Sequence, residues 1–313
     1  MSVVRMDALT GETVVLSERR IPAPPAFTSG SRPVTSSCVF CPGHEAETEP
    51  TIDEIVDGDR WLARAFGNRR PAFRPEEDRQ TLEAEPHYAH SAVGAHEVIV
   101  EGRDHALRSL TGERAGLQLA VNRMKDLTGD TRFEAIGWYR NRGVEAGASQ
   151  PHPHAQVVAT AVIPDRLRRI YTSQKKDPAL MSRILERADV DQRVLWRTGG
   201  LVALCPWAPR VPFEVWFVPL RAVEYPWSDR SLVDDLAAAI HKITGALDAA
   251  FGYASLNIGW FFAPVKHSQG VSTWHVRLTP KLVPLAGYEI WSGGGMHPCL
   301  PEQSASVLRS FMS

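Results

Sequence analysis

The segment that decides the fold and the chemistry of this chain is Gly147-Ala-Ser-Gln-Pro-His-Pro-His-Ala-Gln-Val-Val-Ala-Thr160. Each of its two histidines, His152 and His154, follows a proline. Because proline lacks an N–H group and clashes with the preceding turn, the segment is excluded from the interior of a helix. In an extended chain, residues two apart lie on one face, about 6.5–7 Å from each other. His152, His154 and Gln156 are therefore predicted to share one face of a strand, where one imidazole can bind a metal ion while its neighbour faces a substrate.

The composition is that of an ordinary globular protein. The chain has 313 residues, of which 43 % are hydrophobic and 23 % charged, with a net charge of −1. Without a basic excess, nucleic acid is not an expected partner. No apolar run approaches the roughly 18 residues that span a bilayer, so no membrane association is expected. The first residues lack the apolar segment of a signal peptide, and four cysteines do not make a disulfide scaffold. We therefore predict a cytoplasmic protein with reduced thiols.

The two halves of the chain show the same order of predicted elements. In the first half we predict a strand at 96–101, a helix at 113–127, a strand at 132–140 and the histidine strand. In the second half we predict strands at 201–206 and 213–218, a helix at 232–251, and strands at 255–262 and 274–279. This order indicates an internal duplication, in which His275 corresponds to His152 and Arg277 to His154. The predicted domains are 1–165, a helical connector at 166–195, and 196–313.

Cys38 and Cys41 form a C-x-x-C pair, which indicates either half of a zinc site or a redox pair. A redox pair normally follows a strand and opens a helix, whereas this pair lies between a proline-rich coil and a Pro-Gly turn. The context favours a metal site, and two more ligands complete a tetrahedral zinc. Among the eleven histidines, His105 and His152 are the leading candidates and His44 is a rival. Since two thiolates offset the charge of the ion, we expect one structural Zn²⁺ per chain.

Together these motifs resemble the galactose-1-phosphate uridylyltransferase family, the transferase branch of the histidine-triad superfamily. The matching stretches are 9–17 with Arg20, 38–45, 64–72, Asn141-Arg-Gly143, Gly147-Ala-Ser149, 152–156 and Gly287-Tyr-Glu289. The His-Pro-His-x-Gln motif with C-x-x-C upstream is specific, whereas Gly-Tyr-Glu is not. The resemblance implies an α+β fold of two tandem histidine-triad-like halves, each an antiparallel sheet with a packed helix. It also implies a homodimer whose partner subunit completes the sugar site.

The resemblance further implies roles for individual residues. His154 is the covalent nucleophile, and Gln156 and Ser149 contact phosphate. Zinc is implied on Cys38, Cys41, His105 and His152. The other implied or candidate contacts are Asn68 and Asn141 near the nucleotide, Gly147 with its loop amides, Arg20 and Arg69 for phosphate charge, and Glu289 for sugar hydroxyls.

The predicted reaction moves a nucleoside monophosphate, expected to be UMP, between sugar 1-phosphates in galactose metabolism through a nucleotidyl-histidine. An imidazole suits this task because its ordinary pKa of about 6.5 leaves it mostly neutral at pH 7. Two alternatives stay open. One is a phosphorylase that uses His154 on an ADP-sugar or a dinucleoside polyphosphate, and the other is a non-catalytic, zinc-stabilised nucleotide-binding protein.

Three departures from the family pattern bear on the substrate. Arg69 and Arg70 stand where the family has an acidic or neutral residue followed by an aromatic one, and they favour a more highly charged ligand or one without uridine. Ala23 stands at about the place of the family's second N-terminal arginine. Because Arg277 replaces a histidine near His275, the second, iron-type metal site of some members is not predicted.

Overall fold

The computed structural model describes residues 2–17, 38–76, 81–84, 87–105, 109–267, 270 and 272–312. The predicted N-terminal arm, with Arg20 and Ala23, lies outside these residues. The strands are β1 (Ser2–Met6), β2 (Thr13–Ser17), β3 (Thr51–Asp57), β4 (Arg60–Gly67), β5 (Thr81–Ala84), β6 (His87–His90), β7 (Gly94–Glu101), β8 (Ala135–Arg142), β9 (His154–Thr160), β10 (Val194–Arg197), β11 (Leu201–Leu204), β12 (Val215–Pro219), β13 (Leu256–Phe261), β14 (His275–Pro280) and β15 (Gly295–His297). The α-helices are α1 (Leu110–Leu127), α2 (Asp165–Lys176), α3 (Leu180–Val190), α4 (Ser231–Phe251), α5 (Gly287–Ser292) and α6 (Pro301–Ser310).

One ten-stranded sheet runs through both halves of the chain, in the order β10-β11-β12-β14-β13-β8-β9-β7-β4-β3. All neighbouring strands in it are antiparallel. Helix α1 packs on the strands of the first half, α4 packs on β11 and β12, and the two helices contact each other. The predicted α+β class, with an antiparallel sheet and a packed helix in each half, is confirmed.

The sheet has the same order of strands on either side of its centre. β8 and β13 pair there, followed outward by β9, β7, β4 and β3 on one side and by β14, β12, β11 and β10 on the other. The two central strands carry the matching tetrapeptides Ile136-Gly-Trp-Tyr139 and Ile258-Gly-Trp-Phe261. This symmetry supports the internal duplication.

The register of the sheet corrects both predicted correspondences. Tyr139 pairs with Gln156, whereas Phe261, its counterpart, pairs with His275. His275 is therefore the counterpart of Gln156 and not, as predicted, of His152. By the same register Arg277 is the counterpart of Val158 and not, as predicted, of His154. The order of elements identifies which strands correspond, but only the pairing register identifies which residues do.

Other elements differ from the sequence prediction in their bounds. The helical connector predicted at 166–195 forms two helices, α2 and α3, because Pro178 between them cannot supply the N–H group of a continuous helix. The strand predicted at 132–140 begins three residues later, at Ala135. β1, β2 and β15 form a separate three-stranded sheet that the sequence analysis did not identify. Among the described residues, no helix is both long and apolar enough to cross a membrane.

A buried ion cluster supports β8 from the side of α1. The guanidinium of Arg140 contacts Glu101 of β7 at 2.6 Å and Glu113 of α1 at 2.5 Å, and all three side chains are almost fully buried. Burial opposes the charge of Arg140, but the two carboxylates outweigh it and raise the pKa of its guanidinium. The cluster ties the helix to the two strands that flank the histidine strand.

Replacing this buried cation should destabilise the fold. We expect Arg140→Met to lower the free energy of unfolding by about 3–5 kcal/mol, because Glu101 and Glu113 then stay buried without a counter-charge. Urea unfolding at pH 7 measures the loss. Arg132→Met is the matched control: Arg132 pairs with Asp130 at the surface, so its loss should be below about 1 kcal/mol. Equal unfolding midpoints for Arg140→Met and the unsubstituted protein would contradict the expectation.

Candidate active site

His154 begins β9 on the face of the sheet that points away from α1. Its neighbours Ala155 and Val157 lie in the core with α1, so strand alternation places His154 and Gln156 on the opposite face. His154 Nδ1 lies 2.8 Å from the carbonyl oxygen of His152. A carbonyl only accepts, so Nδ1 carries the proton and Nε2 carries the lone pair. Burial lowers the pKa of His154, which favours the neutral imidazole and hence a nucleophilic Nε2.

Four side chains beside His154 form a group that can hold a metal ion. Cys38, Cys41, His105 and His152 place their ligand atoms within 4.8 Å of one another. His152 Nδ1 lies 3.7 Å from Cys38 Sγ and 3.6 Å from Cys41 Sγ. His152 Nε2 donates to the carbonyl oxygen of Gly102 at 3.0 Å, so its Nδ1 lone pair faces the sulfurs. His44, the rival ligand, pairs with Glu47 instead.

The electrostatics of the group call for a cation. Burial, followed by the hydrogen bond and charge of Cys38, raises the pKa of Cys41 to about 11. The thiolate is the form that binds metal, so a bound cation would be needed to hold the Cys41 sulfur deprotonated. Phe40, between the two cysteines, packs against the rings of His152 and His154, with centroids 6.3 and 5.4 Å away. The metal group and the candidate nucleophile are thus one packed unit.

Gln156 is held by two residues that the sequence analysis missed. Its Oε1 lies 2.5 Å from His96 Nε2 and 2.9 Å from the hydroxyl of Tyr139. His96 comes from β7 and Tyr139 from β8, the two strands that flank β9. Alternation along β7 could have placed His96 on one face, but its position opposite Val158 depends on the β7–β9 register. His96 Nδ1 accepts from the backbone N–H of Ala72 at 3.1 Å.

The loop between β8 and β9 is fixed by the second half of the chain. Asn257 of β13 donates to the side-chain oxygen of Asn141 and to the carbonyl of Ala146, both at 2.8 Å. Gly143 has φ +84°, and a Cβ there would lie 2.0 Å from Ser255 Oγ, so no other residue fits. The amide nitrogen of Asn141 faces Gly147, near the predicted phosphate loop. Asn257 is a third residue that sequence reasoning missed.

The other predicted contacts are distributed around this centre. Asn68 lies beside His96, with its amide nitrogen 3.2 Å from His96 Nε2. Arg69 is exposed and bonds to Glu49 and to the carbonyl of Glu47. Ser149 is exposed in the loop before the histidines. Glu289 of α5 accepts hydrogen bonds from the backbone N–H groups of Ala286, just before that helix, and of Met296 in β15. Glu289 is therefore held outside the ten-stranded sheet.

Comparisons with known proteins agree with the motifs. No family model matches the chain. It is 25 % identical to ADP-glucose phosphorylase of Arabidopsis thaliana over 322 residues, which cover 98 % of this chain and 92 % of that protein. It is 27 % identical to galactose-1-phosphate uridylyltransferase of Thermotoga maritima over 335 residues, which cover 99 % of this chain and 98 % of that protein. The predicted resemblance is confirmed over nearly the full length.

Solved structures agree on the fold. The crystal structure of an Arabidopsis thaliana ADP-glucose phosphorylase with bound ADP-glucose matches with a TM-score of 0.83 at 22 % identity, covering 99 % of each chain. A uridylyltransferase structure matches with a TM-score of 0.76 at 22 % identity, covering 100 % of this chain and 98 % of the other. The fold is therefore shared along the whole chain.

Removal of a ligand from the metal group should release the ion and loosen the histidine segment. We expect Cys41→Ser to lose bound metal and to melt at a lower temperature, because a hydroxyl is a poor replacement for a thiolate ligand. Elemental analysis of the purified protein and thermal melting measure both effects. Cys299→Ser, remote from the group in sequence and not part of it, is the control. An unchanged melting temperature after verified loss of metal would argue against a structural ion.

Proposed function

We propose that this chain, a homologue of galactose-1-phosphate uridylyltransferase and of ADP-glucose phosphorylase, is a nucleotidyltransferase. It moves a nucleoside monophosphate, UMP in the leading form of the proposal, between sugar 1-phosphates. The observation that carries the proposal is the buried His154, whose proton is held on Nδ1 by the carbonyl of His152. A ring held in this way presents its Nε2 lone pair in a fixed direction. A protein that only binds nucleotide has no need of such a nucleophile.

The reaction has two displacements at one phosphorus. Nε2 of His154 attacks the α-phosphorus of a nucleotide sugar, the bond to the bridging oxygen breaks, and a sugar 1-phosphate leaves with the electron pair. A phosphate oxygen of a second sugar 1-phosphate then attacks, the P–N bond breaks, and the neutral imidazole returns, which gives ping-pong kinetics. Gln156 donates to a non-bridging oxygen without titrating in either half-reaction. The other proposed contacts are Ser149, the amides around Gly147, Asn68, Asn141, Arg20 and Arg69.

We also propose that the ion is a structural zinc. In a tetrahedral site with Zn–S of about 2.3 Å and Zn–N of about 2.0–2.1 Å, each sulfur lies about 3.5–3.6 Å from each nitrogen. Cys38 Sγ lies 3.7 Å from His152 Nδ1, and Cys41 Sγ lies 3.6 Å from Nδ1 of both His105 and His152, which supports this ligand set. Bound zinc supplies no reacting group here. It fixes the ring of His152, whose carbonyl orients His154. Because its thiolates must stay reduced, we propose the cytoplasm as the location.

A second candidate function is supported by a specific comparison. One relative is an ADP-glucose phosphorylase that aligns with 98 % of this chain. Such an enzyme would use the same His154 and take inorganic phosphate as the acceptor in place of a sugar 1-phosphate. Arg69 and Arg70, both exposed, favour a ligand with more negative charge or without uridine. The choice between the two functions is a choice of base and acceptor, and the nucleophile is common to both.

We propose a homodimer that is formed through the exposed face of α5. The exposed fraction is 83 % for Trp291 and 77 % for Ile290, both in α5, and 66 % for Leu285 just before it. Large apolar side chains clustered at a surface mark an interface. The same helix carries Glu289, the candidate contact for sugar hydroxyls. A second copy that covers this face would bring Glu289 toward a site between subunits.

The adduct on His154 tests the proposed function. Incubation with UDP-glucose or ADP-glucose should give a base-stable, acid-labile nucleotidyl group on the protein, and His154→Ala should not form it. Release of label by galactose 1-phosphate, compared with release by inorganic phosphate, then distinguishes the transferase from the phosphorylase. His241→Ala, an exposed histidine on α4, is the control that should keep the adduct. An adduct that survives in His154→Ala would rule out the proposed nucleophile.

The exposed face of α5 generates a separate prediction. We expect the protein to sediment as a dimer at micromolar concentration and Trp291→Ser to shift it toward monomer, because the substitution removes the largest apolar contact of that face. Val190→Ser, also on an exposed apolar residue but at the end of α3, should leave the dimer intact. Analytical ultracentrifugation measures both. A monomeric unsubstituted protein, or a dimeric Trp291→Ser, contradicts this interface.

A further inference from the structure

We infer that His96 and Tyr139 are positioning residues that lock the side-chain amide of Gln156 with its NH₂ group directed at the phosphate. The inference rests on the proposed function, because it explains how a neutral residue becomes a fixed donor for the transferred phosphoryl group. Neither residue touches the reacting atoms. Both act through one oxygen, Oε1 of Gln156, and we call the three side chains the amide clamp.

The direction of the hydrogen bonds in the amide clamp follows from one backbone group. The N–H of Ala72 points at His96 Nδ1 from 3.1 Å. A backbone N–H is always a donor, so Nδ1 accepts and the proton of the neutral ring lies on Nε2. His96 Nε2 therefore donates to Gln156 Oε1 across 2.5 Å. The side-chain nitrogen of Asn68 lies 3.2 Å from the same Nε2, and with the proton on Nε2 that contact joins two donors and is not a hydrogen bond.

The second donor completes the coordination of the same oxygen. The hydroxyl of Tyr139 donates to Gln156 Oε1 at 2.9 Å, and an amide oxygen accepts two hydrogen bonds. Turning the amide over would place its NH₂ group against the N–H of His96, donor against donor, at a distance too short to tolerate. The amide nitrogen of Gln156 is therefore held away from His96 and Tyr139. It stays available to a ligand on the face that Gln156 shares with His154.

The second copy of the duplicated unit supplies independent support. Tyr139 corresponds to Phe261, and Gln156 corresponds to His275. His96 lies opposite Val158, whose counterpart Arg277 lies opposite Trp216, so Trp216 is the counterpart of His96. All three members of the amide clamp are thus replaced together. In their place, His275 stacks on Phe261 with centroids 5.3 Å apart and lies 5.1 Å from the ring of Trp216.

This joint replacement is expected if the three side chains form one device. The half that contains His154 has a hydroxyl, an imidazole N–H and an amide, from Tyr139, His96 and Gln156. In the other half, the same three positions hold packed aromatic rings that donate no hydrogen bond to an amide. If His96 and Tyr139 served only to stabilise the sheet, the second half could keep one of them while the other was replaced.

A double-mutant cycle tests the amide clamp. UMP and AMP are titrated calorimetrically into the full chain, with Tyr139→Phe and His96→Asn each made alone and combined with Gln156→Ala. We expect each single substitution to weaken binding of the preferred nucleotide about 3- to 10-fold, since one hydrogen bond is lost. In the Gln156→Ala background the same substitutions should change affinity less than about 2-fold, because their effect passes through Gln156. The second copy already holds phenylalanine at the Tyr139 position, so Tyr139→Phe suits this fold.

The controls separate this inference from a structural role and from the proposed function. Tyr225→Phe removes a hydroxyl that bonds to the carbonyl of Pro264, and it should change neither affinity nor the cycle. Equal effects of Tyr139→Phe and His96→Asn with and without Gln156 would overturn the amide clamp, as would unsubstituted protein that binds neither nucleotide. Protein that binds nucleotide but forms no His154 adduct contradicts the transferase proposal alone, and the cycle still decides the clamp.

Discussion

The hydrogen bond from the His154 ring to the carbonyl of His152 is the contact on which the rest of this site depends. His152 therefore has two roles. Its ring faces the thiols of Cys38 and Cys41, and its backbone carbonyl holds the proton of His154 on Nδ1. Prolines before each histidine restrict the backbone between them, so the ring and the carbonyl cannot move independently. The carbonyl of Gly102 holds the far nitrogen of His152, and Phe40 fills the space between the two imidazoles. A metal ion held by this group would therefore influence His154 without contacting it, through the geometry of a single peptide unit.

The duplicated sheet explains why a chain of two similar halves carries a site in only one. Both halves supply a central strand, and Trp138 and Trp260 meet edge to face where these strands pair, with centroids 6.0 Å apart. That contact needs both copies, so the second half contributes to the stability of the whole sheet. It also supports the site, because Asn257 holds Asn141 and the loop at Ala146. The second copy is thus a structural support for the first.

The sequence was sufficient for those features that depend on local order and insufficient for those that depend on register. The histidine strand, the C-x-x-C pair and the α4 helix follow from residue spacing within one segment. His105 and His152 were candidates to complete the pair, with His44 as a rival, and the family resemblance implied the full ligand set that the structure brings together. Which residues face Gln156 depends on how three strands align, and no local pattern contains that alignment. His96 and Tyr139 were therefore missed, and His275 was matched to the wrong histidine. The break at Pro178 was available from the sequence, but the periodicity around it obscured it.

The charges around the nucleophile explain why orientation matters so much here. Among the described residues, the side chains that surround Gln156 and Asn141 are neutral: an imidazole, a phenol and a second amide. A buried cation, Arg140, lies toward α1 and is offset by two carboxylates. At Gln156 a phosphate is thus met by a dipole, whereas the exposed Arg69 is a proposed source of full charge. A dipole stabilises an anion only when its positive end points at the anion. An amide that rotates freely spends most of its time in other orientations, and turning it toward the phosphate costs free energy. Donors that hold the amide oxygens from behind remove this loss, so fixing the orientation of the amide strengthens its contact with phosphate.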